Sequence, residues 1–447
     1  MVHSHTDTIF ALSSAQGRAG VSVFRVSGPE AEHVVKILTG RSCPAPRKAV
    51  LRLFSRNNIV IDTGLLLWFP GPKSFTGEDM AEFQVHGSPA VIEAMAGAFL
   101  SAGARQAEAG EFTRRGFEND RMDLTEAEAI ADLIDAETEG QREQAVRQMR
   151  GGLRETYNSW REDLMDALAQ IEGEIDFPDE ADVPNDLAHA AVPGLQLVID
   201  AMEAALDDSS RGEHIRHGLD IAILGPPNAG KSTLINALSQ KDAAIVSPEA
   251  GTTRDIVEVH LVMSGLPVRL SDTAGLRETE NTIEAEGVKR ALKRGDEADI
   301  RVGVVDSTDT SQLEAALLNL QAGDILVFNK SDIATTPKPI IKNDCVHVMT
   351  ISGKNTEDVA GLRSKLDELI VERFSVSETA GLTRARHRDC VERAVESLRR
   401  AKANVSIAPE LAGDDMRAAL HAIKELAGET DIEAVLGRIF SRFCVGK

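Results

Sequence analysis

Short apolar runs separated by polar turns occupy the first quarter of this 447-residue chain. Within residues 7–120, apolar runs at residues 9–12 and 21–26 flank a glycine-containing turn, which predicts two strands. Residues 29–38 have a helical pattern, and residues 90–100 form a helical segment rich in small residues. This part of the chain is therefore predicted to mix strands and helices.

A different composition begins near residue 124. Residues 125–170 are dense in Ala, Glu, Gln, Arg and Leu and almost free of proline, which favours long helices. Another helix runs to about residue 208, and the helical pattern returns at residues 383–402 and 416–443. The intervening residues 217–372 have strand-like apolar runs. This order predicts an α/β domain inserted into a helical domain, or one placed between two independent helical pieces.

The α/β segment contains short motifs in a fixed order. Residues 225–232 read Gly-Pro-Pro-Asn-Ala-Gly-Lys-Ser and lie between a strand-like and a helical run, the context that a phosphate-binding loop requires. Backbone N–H groups of such a loop and the helix N-terminus attract phosphate. Lys231 is expected to reach the β- and γ-phosphate oxygens, and Ser232 to ligate magnesium. Thr253, in the second motif at residues 251–255, is the expected second magnesium ligand.

Two further motifs specify guanine. Residues 272–275 read Asp-Thr-Ala-Gly, and residues 329–332 read Asn-Lys-Ser-Asp after a strand-like run. The Asp332 carboxylate can accept hydrogen bonds from the N–H and amino groups of guanine. Adenine lacks this donor pair and would leave a partly buried acceptor unpaired, at a cost of about 1–3 kcal/mol. Residues 352–354 (Ser-Gly-Lys) can add a weaker base contact, and the set predicts a GTPase.

The residue that orients the attacking water is not obvious. Many small GTPases have a glutamine directly after Asp-Thr-Ala-Gly, but this chain has Leu276 there. Four glutamates follow and could replace it: Glu278, Glu280, Glu284 and Glu286. Positive charge between the β- and γ-phosphates could come from Arg254. It could also come from a monovalent cation held by the Asn228 amide oxygen and backbone carbonyls of residues 244–252.

Composition limits the class of partner. A net charge of −22 argues against an unaided, non-specific grip on nucleic acid. Eight basic residues crowd residues 384–402, where a solvated helix face with ion pairs explains them better than a nucleic-acid patch. The four scattered cysteines predict reduced thiols, with neither a zinc site nor disulfides. Neither a signal peptide nor a membrane span is indicated, so a cytoplasmic protein with no membrane partner is expected.

Segments outside the α/β domain carry a second signature. They include Arg25 to Pro29, Ser74 to Asp79, Glu82, His86-Gly87, Gly110 to Thr113, Asp123 to Ala129, Ile175 to Pro178 and the C-terminal Cys444-Val445-Gly446-Lys447. With these segments, essentially the whole chain resembles the MnmE (TrmE) family of tRNA uridine-5-carboxymethylaminomethyl modification GTPases.

The resemblance implies a multidomain fold and a function. The fold would comprise an α+β N-terminal folate-binding and dimerisation domain (1–120), an all-α helical-bundle domain (121–215 and 375–447) and an inserted α/β Ras-like P-loop G domain (216–374). The function would be potassium-activated GTP hydrolysis in a homodimer. With MnmG, an FAD-dependent partner, and a tetrahydrofolate one-carbon donor, the family forms 5-aminomethyl or 5-carboxymethylaminomethyl groups on the tRNA wobble uridine.

The resemblance also implies site residues. Glu284, twelve positions after Asp272, would be the catalytic switch glutamate alongside Lys231. Potassium would be held by Asn228, Ser247, Glu249 and Thr252, magnesium by Ser232 and Thr253, and folate by Arg25, Glu82, Arg121 and Lys447. The predicted nucleotide-binding residues are Asn228, Ala229, Gly230, Lys231, Ser232, Thr233, Ser247, Thr252, Thr253, Asp272, Thr273, Ala274, Gly275, Asn329, Lys330, Asp332 and Ser352.

Departures from the family pattern concern two positions. Arg121 stands where a lysine is usual, which keeps the charge but changes the donor geometry. Gly353 replaces an alanine, and its backbone N–H is expected to make the base contact. Cys444 is interpreted as a small buried residue rather than a nucleophile. The alternative function from another class is a ribosome-assembly GTPase, an RNA-binding switch, although no appended basic RNA-binding module is visible.

Overall fold

The computed structural model describes residues 7–176, 187–239, 258–272, 298–309, 311, 313–334, 346–374, 381–429, 433–441, 443 and 445–446. By backbone contacts, one compact unit comprises Met1–Ala131, Gln148–Val198 and Arg393–Lys447, and the other comprises Asp132–Arg147 and Ile199–Glu392. The domain boundaries given above, after residues 120, 215 and 374, do not coincide with these units and stay predictions.

The first unit contains a six-stranded sheet in the order β3-β4-β5-β2-β1-β6. Its strands are β1 (Ile9–Leu12), β2 (Ala19–Ser27), β3 (Val50–Arg56), β4 (Ile59–Phe69), β5 (Met80–Gly87) and β6 (Arg105–Gln106). All pairs are antiparallel except β1 with β6.

Two helices, α1 (Ala31–Thr39) and α2 (Pro89–Ser101), pack on this sheet. The core is aromatic: the ring of Phe83 lies 5.4 Å from that of Phe54 and 5.1 Å from that of Phe99. Such tilted and edge-on ring pairs add to the stabilisation from burial. The strands and helices predicted for this part of the chain are confirmed.

The remaining helices follow the predicted pattern. They are α3 (Glu111–Glu118), α4 (Leu124–Asp135), α5 (Glu139–Met149), α6 (Gly152–Asp176), α7 (Leu187–Ala190), α8 (Val192–His217), α9 (Lys231–Ser239), α10 (Leu313–Leu318), α11 (Thr356–Phe374), α12 (Ala385–Asn404), α13 (Pro409–Ala427) and α14 (Glu433–Phe440).

A regular apolar stripe explains how α6 packs. Leu153, Tyr157, Trp160, Leu164 and Ile171 are buried at alternating spacings of three and four positions, with Ala167 between them. This spacing places all of them on one face of a helix, and that face packs against α13. The α6 helix therefore belongs to a helical layer built from distant parts of the sequence.

The second unit contains a six-stranded sheet in the order β12-β11-β10-β7-β9-β8. Its strands are β7 (Leu219–Leu224), β8 (Glu258–Met263), β9 (Leu266–Asp272), β10 (Ile300–Asp306), β11 (Ile325–Asn329) and β12 (His347–Thr350). All pairs are parallel except β8 with β9. β7, β10 and β11 are almost entirely buried, as parallel strands covered on both faces require.

The topology of this second sheet positions a site. The strands that follow β7 in sequence lie on both sides of it, so the chain reverses its direction of winding at β7. Ligands of open α/β sheets bind outside the carboxyl ends of strands at such a point. Among the described residues, no helix combines the length and the apolarity needed to cross a bilayer.

Candidate functional site

The loop after β7 contains two glycines in backbone conformations that other residues rarely adopt. Gly225 has φ 144°, and a Cβ there would lie 2.1 Å from the carbonyl oxygen of Val304 in β10. Gly230 has φ 93°, and its Cβ would lie 2.3 Å from Nδ2 of Asn329. The loop is thus pressed against two neighbouring strands, and α9 begins directly after it at Lys231.

Lys231 lies within the curve of this loop. Its side chain is 4% exposed, and Nζ donates hydrogen bonds of 2.8 Å to the carbonyl oxygens of Gly225 and Pro226. Burial lowers the pKa of Lys231, while the nearby Asp272 acts in the opposite direction. A phosphate dianion would favour the charged ammonium further, so this lysine is placed to receive one.

A hydroxyl and a carboxylate meet beside the loop. Ser232 Oγ donates a hydrogen bond of 2.8 Å to Oδ2 of Asp272, the last residue of β9. Magnesium prefers such oxygen ligands and normally keeps several waters and substrate phosphates in its shell. Among the described residues, no group of three or more His, Cys, Asp or Glu side chains could hold a metal by itself. The oxygen donors here fit a magnesium ion that needs phosphate as a further ligand.

Asn329 connects two loops of the site. The residue is 2% exposed; its Nδ2 donates to the Ala229 carbonyl at 2.8 Å, and its Oδ1 accepts from the Gly353 N–H at 2.9 Å. The sequence predicted Asn329 as a direct base contact and assigned the base contact of the last motif to the Gly353 N–H. In the structure that N–H is bonded to the Asn329 side chain, and the base contacts of both residues stay predictions.

Two other residues of the base-binding motifs, Lys330 and Ser352, are held by neighbouring carboxylates. Lys330 has φ 63°, and its Nζ lies 2.6 Å from Oδ2 of Asp306. Burial would raise the pKa of Asp306, but hydrogen bonds from Lys330 and Thr308 hold it below its ordinary value. Asp332 is exposed, as a group that receives a ligand must be. Ser352 is 4% exposed and its N–H donates to Asp358 at the start of α11.

Sequence reasoning missed Asp306 and Asp358. Asp306 directly follows a run of apolar residues, at the carboxyl end of β10. The same signal had identified Asn329 at the end of β11. Because parallel strands end at one edge of the sheet, that signal could have placed Asp306 in the site. Asp358 lies in the first turn of α11, where this signal does not apply.

The structure locates only part of the predicted nucleotide and metal sites. Asn228 (φ 63°) and Thr233 are exposed at the loop, and Ala229 is fully buried. The rest of the predicted set lies outside the described residues: Ser247, Glu249, Thr252, Thr253, Thr273, Ala274, Gly275 and Glu284, together with Arg254 and the other three glutamates.

Three of the four predicted folate residues lie around one loop of the first unit. Arg25 and Glu82 are direct neighbours across β2 and β5, and Arg25 Nε donates to Glu82 Oε1 at 2.9 Å. Arg25 Cζ lies 5.7 Å from the ring centre of Phe75. Arg121 Nε donates to the carbonyl of Ser74 at 3.3 Å. Residues 74–79 therefore bring these side chains together.

A buried ion-pair network holds this loop. Arg115 is 3% exposed and contacts Glu78 of the loop at 3.1 Å, Asp7 at 2.7 Å and Glu111 at 3.0 Å. Burial alone would lower the pKa of Arg115, but Glu78 and Glu111 raise it above its ordinary value. The side chain therefore stays charged. Removing it would take the counter-ion from Glu78, whereas Asp7 and Glu111 would still pair with Arg105.

The fourth predicted folate residue, Lys447, lies outside the described residues, but its neighbours are placed. Ser13 Oγ donates to the Gly446 carbonyl at 2.9 Å, and Val445 forms a bridge with Ala109. Gly446 has φ 98°, and a Cβ there would lie 2.4 Å from the Leu12 carbonyl oxygen. The C-terminal tail is thus attached to the end of β1, and only glycine permits this approach.

The basic stretch at residues 384–402 is engaged in ion pairs. Arg384 pairs with Asp132, Arg388 with Glu213 and Glu392, Arg393 with Glu425, and Arg400 with Glu396 and Asp415. The prediction of a charged helix face rather than a nucleic-acid patch is confirmed for these four arginines.

Family models and full-length relatives match this chain. The family model described as GTP-binding protein TrmE N-terminus matches residues 8–121, and the MnmE helical domain matches residues 124–444. The chain is 52% identical to the tRNA modification GTPase MnmE of Maricaulis maris, covering 98% of this chain and 99% of that one. It is 47% identical to the tRNA modification GTPase MnmE of Caulobacter vibrioides, covering 99% of this chain and 100% of that one.

Among solved structures, the G domain of the T. maritima FeoB iron transporter is 26% identical over 34% of this chain and 98% of its own, with a TM-score of 0.28. The family models and the two sheets confirm the predicted fold class: an α+β N-terminal domain, a helical domain and an α/β P-loop domain. This chain belongs to the MnmE family of tRNA modification GTPases.

Proposed function

We propose that this protein is a potassium-activated GTP hydrolase that takes part in modifying the wobble uridine of tRNA. It would act as a homodimer in the cytoplasm, together with the FAD-dependent partner MnmG and a tetrahydrofolate one-carbon donor. The products would be 5-aminomethyl or 5-carboxymethylaminomethyl groups. The observation that carries the proposal is 52% identity along 98% of the chain to a tRNA modification GTPase, which includes both sites described above.

The nucleotide site supports the hydrolase part of the proposal. Lys231 would bind the β- and γ-phosphates, Asn329 would hold the phosphate and base loops together, and Asp332 would accept hydrogen bonds from guanine. Bound magnesium would neutralise phosphate charge, with the Ser232 hydroxyl as its ligand and Asp272 behind it. GTP turnover would drive a conformational cycle, because hydrolysis itself performs no redox chemistry and the flavin belongs to the partner.

The state of Asn228 supports a potassium site. Its side chain is exposed and makes no hydrogen bond with any part of the chain that the structure describes. The amide oxygen is therefore available to a cation beside the phosphate loop, where charge develops during hydrolysis. Ser247, Glu249 and Thr252 would supply the remaining ligands, mainly through backbone carbonyls.

Exchange of potassium for sodium is expected to lower the GTP hydrolysis rate by at least about tenfold at equal ionic strength, because a smaller ion fits the same oxygen cage poorly. Steady-state phosphate release in the two chloride salts measures this. A parallel titration with a fluorescent GDP analogue checks that nucleotide binding itself is unchanged. Equal rates in both salts would move the required positive charge to Arg254 or to a partner.

The folate part of the proposal is supported by the chemistry of the side chains at residues 74–79. Glu82 uses Oε1 for Arg25, and its Oε2 makes no hydrogen bond among the described residues. A carboxylate oxygen of this kind can accept from the N–H groups of a pterin. Phe75 offers an aromatic face, and Arg121 offers positive charge to the glutamate tail of a folate. These donor and acceptor types fit a reduced folate.

Gly446→Ala is expected to weaken binding of a reduced folate by about tenfold or more while leaving GTP hydrolysis unchanged. An added Cβ would collide with the Leu12 carbonyl, and φ 98° costs a residue other than glycine about 1–2 kcal/mol. The tail would detach and take Lys447 with it. Isothermal titration with 5-formyltetrahydrofolate measures the affinity.

Gly437→Ala is the matched control for this tail variant, because a Cβ on that glycine of α14 meets nothing within 4 Å. Arg25→Ala serves as the positive reference, since it removes a predicted folate contact directly and should also spare GTP hydrolysis. If Gly446→Ala binds folate as tightly as Gly437→Ala, the tail has no part in the folate site.

The proposed function as a whole is tested in cells. Nucleosides of tRNA from cells with and without the gene are compared by mass spectrometry. Loss of 5-substituted wobble uridines is the expected result. An unchanged nucleoside profile, in cells without a second copy of the gene, would contradict the proposed function and favour a ribosome-assembly GTPase. Accumulation of ribosomal precursors in the same cells would then support that alternative.

A further inference from the structure

A group of cations on the N-terminal domain contrasts with the acidic character of the chain. Residues 33–61 contain six of the 49 Lys and Arg residues and none of the 71 Asp and Glu residues. Lys73 adds a seventh cation beside them. We call the seven the basic edge: Lys36, Arg41, Arg47, Lys48, Arg52, Arg56 and Lys73.

The fold brings the basic edge together around β3, the outermost strand of its sheet. Lys36 lies in the last turn of α1, which packs against β3, and Arg41 follows the glycine that ends α1. Arg52 and Arg56 lie on the same face of β3, since side chains of a strand alternate. Arg56 reaches α2, where its Nη1 lies 2.7 Å from the position that a Cβ on Gly97 would take.

The connecting loop joins the remaining cations to the same edge. The N–H of Arg47 donates to the carbonyl of Trp68 at 2.9 Å, and its guanidinium donates to the carbonyl of Lys73. Lys48 is the next residue in the loop. The seven cations therefore extend from the end of α1, across the loop, to the edge of the sheet.

None of the seven cations forms an ion pair with a carboxylate in the described part of the chain. Six are exposed and Arg52 is half-buried. Arg393 and Arg400 of α12 are different, because each pairs with a nearby carboxylate. Neighbouring like charges without counter-ions repel one another, and an external polyanion would relieve that repulsion.

Resting on the proposed function, we propose that the basic edge binds the phosphate backbone of tRNA. Lysine and arginine that neutralise phosphates release condensed counter-ions, which gives affinity without reading sequence. An acidic protein surface fits less well, because the centre of a protein interface is apolar and depleted in charged residues, whereas the basic edge consists of charges. The exposed Leu51 and Leu53 alternate with Arg52 along β3 and lie on the opposite face of the strand.

The test replaces three of these cations whose side chains make no hydrogen bond within the described residues: Lys36→Gln, Arg41→Gln and Lys48→Gln together. The full-length triple variant and the unsubstituted chain are titrated with an unmodified tRNA transcript, by fluorescence anisotropy at several salt concentrations. The variant is expected to bind about tenfold to a hundredfold more weakly at low salt. The slope of log affinity against log salt should fall by about 2–3, close to 0.7–0.9 for each lost phosphate contact.

A second triple variant controls for the loss of net charge. Arg142→Gln, Lys365→Gln and Arg417→Gln remove three cations that already form ion pairs within the chain. This control should keep both the affinity and the salt slope of the unsubstituted chain. GTP hydrolysis by both variants should remain unchanged, which reports on the unit that carries the phosphate loop. Circular dichroism and thermal unfolding that match those of the unsubstituted chain show that the N-terminal unit is folded as well.

Every other outcome contradicts the proposal that the basic edge binds tRNA. Equal tRNA binding by both triple variants would do so, and so would a lack of salt-dependent binding by the unsubstituted chain. A basic-edge variant with normal tRNA binding but altered sedimentation would assign the edge to a protein contact. Complementation of cells that lack the gene tests the proposed function separately. If the basic-edge variant restores wobble modification as fully as the unsubstituted chain does, the proposed tRNA-binding surface is refuted and the proposed function stands.

Discussion

Asn329→Ala is expected to lower the affinity for both GTP and GDP by about a hundredfold or more. The side chain satisfies two backbone groups, the Ala229 carbonyl and the Gly353 N–H, and it is 2% exposed. Each buried group left unpaired costs about 1–3 kcal/mol, and every 1.4 kcal/mol is a factor of ten in affinity. The phosphate loop and the loop at residues 352–354 would separate, so the phosphate and base subsites would no longer be aligned.

Equilibrium titration with a fluorescent GDP analogue measures this effect. Asn236→Ala is the matched control, because Asn236 is exposed on the neighbouring helix α9. Asn329→Asp covers the case in which the alanine variant does not fold: it keeps the acceptor for Gly353 but loses the donor to Ala229. Unchanged affinity in both variants would show that the two loops align without Asn329. Folate binding by the separate N-terminal domain reports on the integrity of the rest of the chain.

Glu284→Ala is expected to reduce GTP turnover by about 10²–10⁴-fold while leaving nucleotide affinity within a few-fold. A group that orients or deprotonates the attacking water acts mainly in the transition state, so its removal lowers kcat and spares binding. Leu276 cannot perform this task, because its side chain neither donates nor accepts a hydrogen bond. The segment that carries Glu284 begins directly after Asp272, which contacts Ser232 at the phosphate loop.

The neighbouring glutamates make this test specific. Glu278→Ala, Glu280→Ala and Glu286→Ala remove the same charge from the same segment and should each retain turnover within about threefold. Single-turnover hydrolysis with saturating enzyme separates chemistry from nucleotide binding. A large loss in one of these three variants instead would transfer the role to that residue. Loss of GTP affinity in Glu284→Ala would make the residue structural.

Local sequence patterns predicted the framework of the second sheet well. The apolar runs of β7 and β11 end in polar motif residues, and parallel strands place such ends at one edge of a sheet. Lys231, Ser232 and Asp272 consequently lie together in the structure. The same reasoning identified Asn329 as part of the site, but it did not indicate that this side chain also bridges two loops.

Local sequence patterns could not predict which residues distant in sequence contact one another. Nothing in the periodicity of residues 352–354 indicates that the Gly353 N–H is bonded to a residue 24 positions earlier. The pairing of Arg115 with Asp7, across 108 positions, likewise depends on the assembled sheet. Periodicity reports which face of an element is buried, but the identity of the partner on that face is a property of the whole fold.

The attachment of residues 445–446 joins a late part of the chain to the N-terminal domain. Ser13 and Gly446 are 433 positions apart, yet they share a hydrogen bond. N-terminal segments fold first during translation, so the first sheet and then the phosphate loop can form before residues 445–446 are synthesised. A chain that ends early would retain its nucleotide motifs and lack the tail. Cleavage between Phe443 and Val445 would therefore spare those motifs and remove two contacts of the first sheet's unit, those of Ser13 and Ala109.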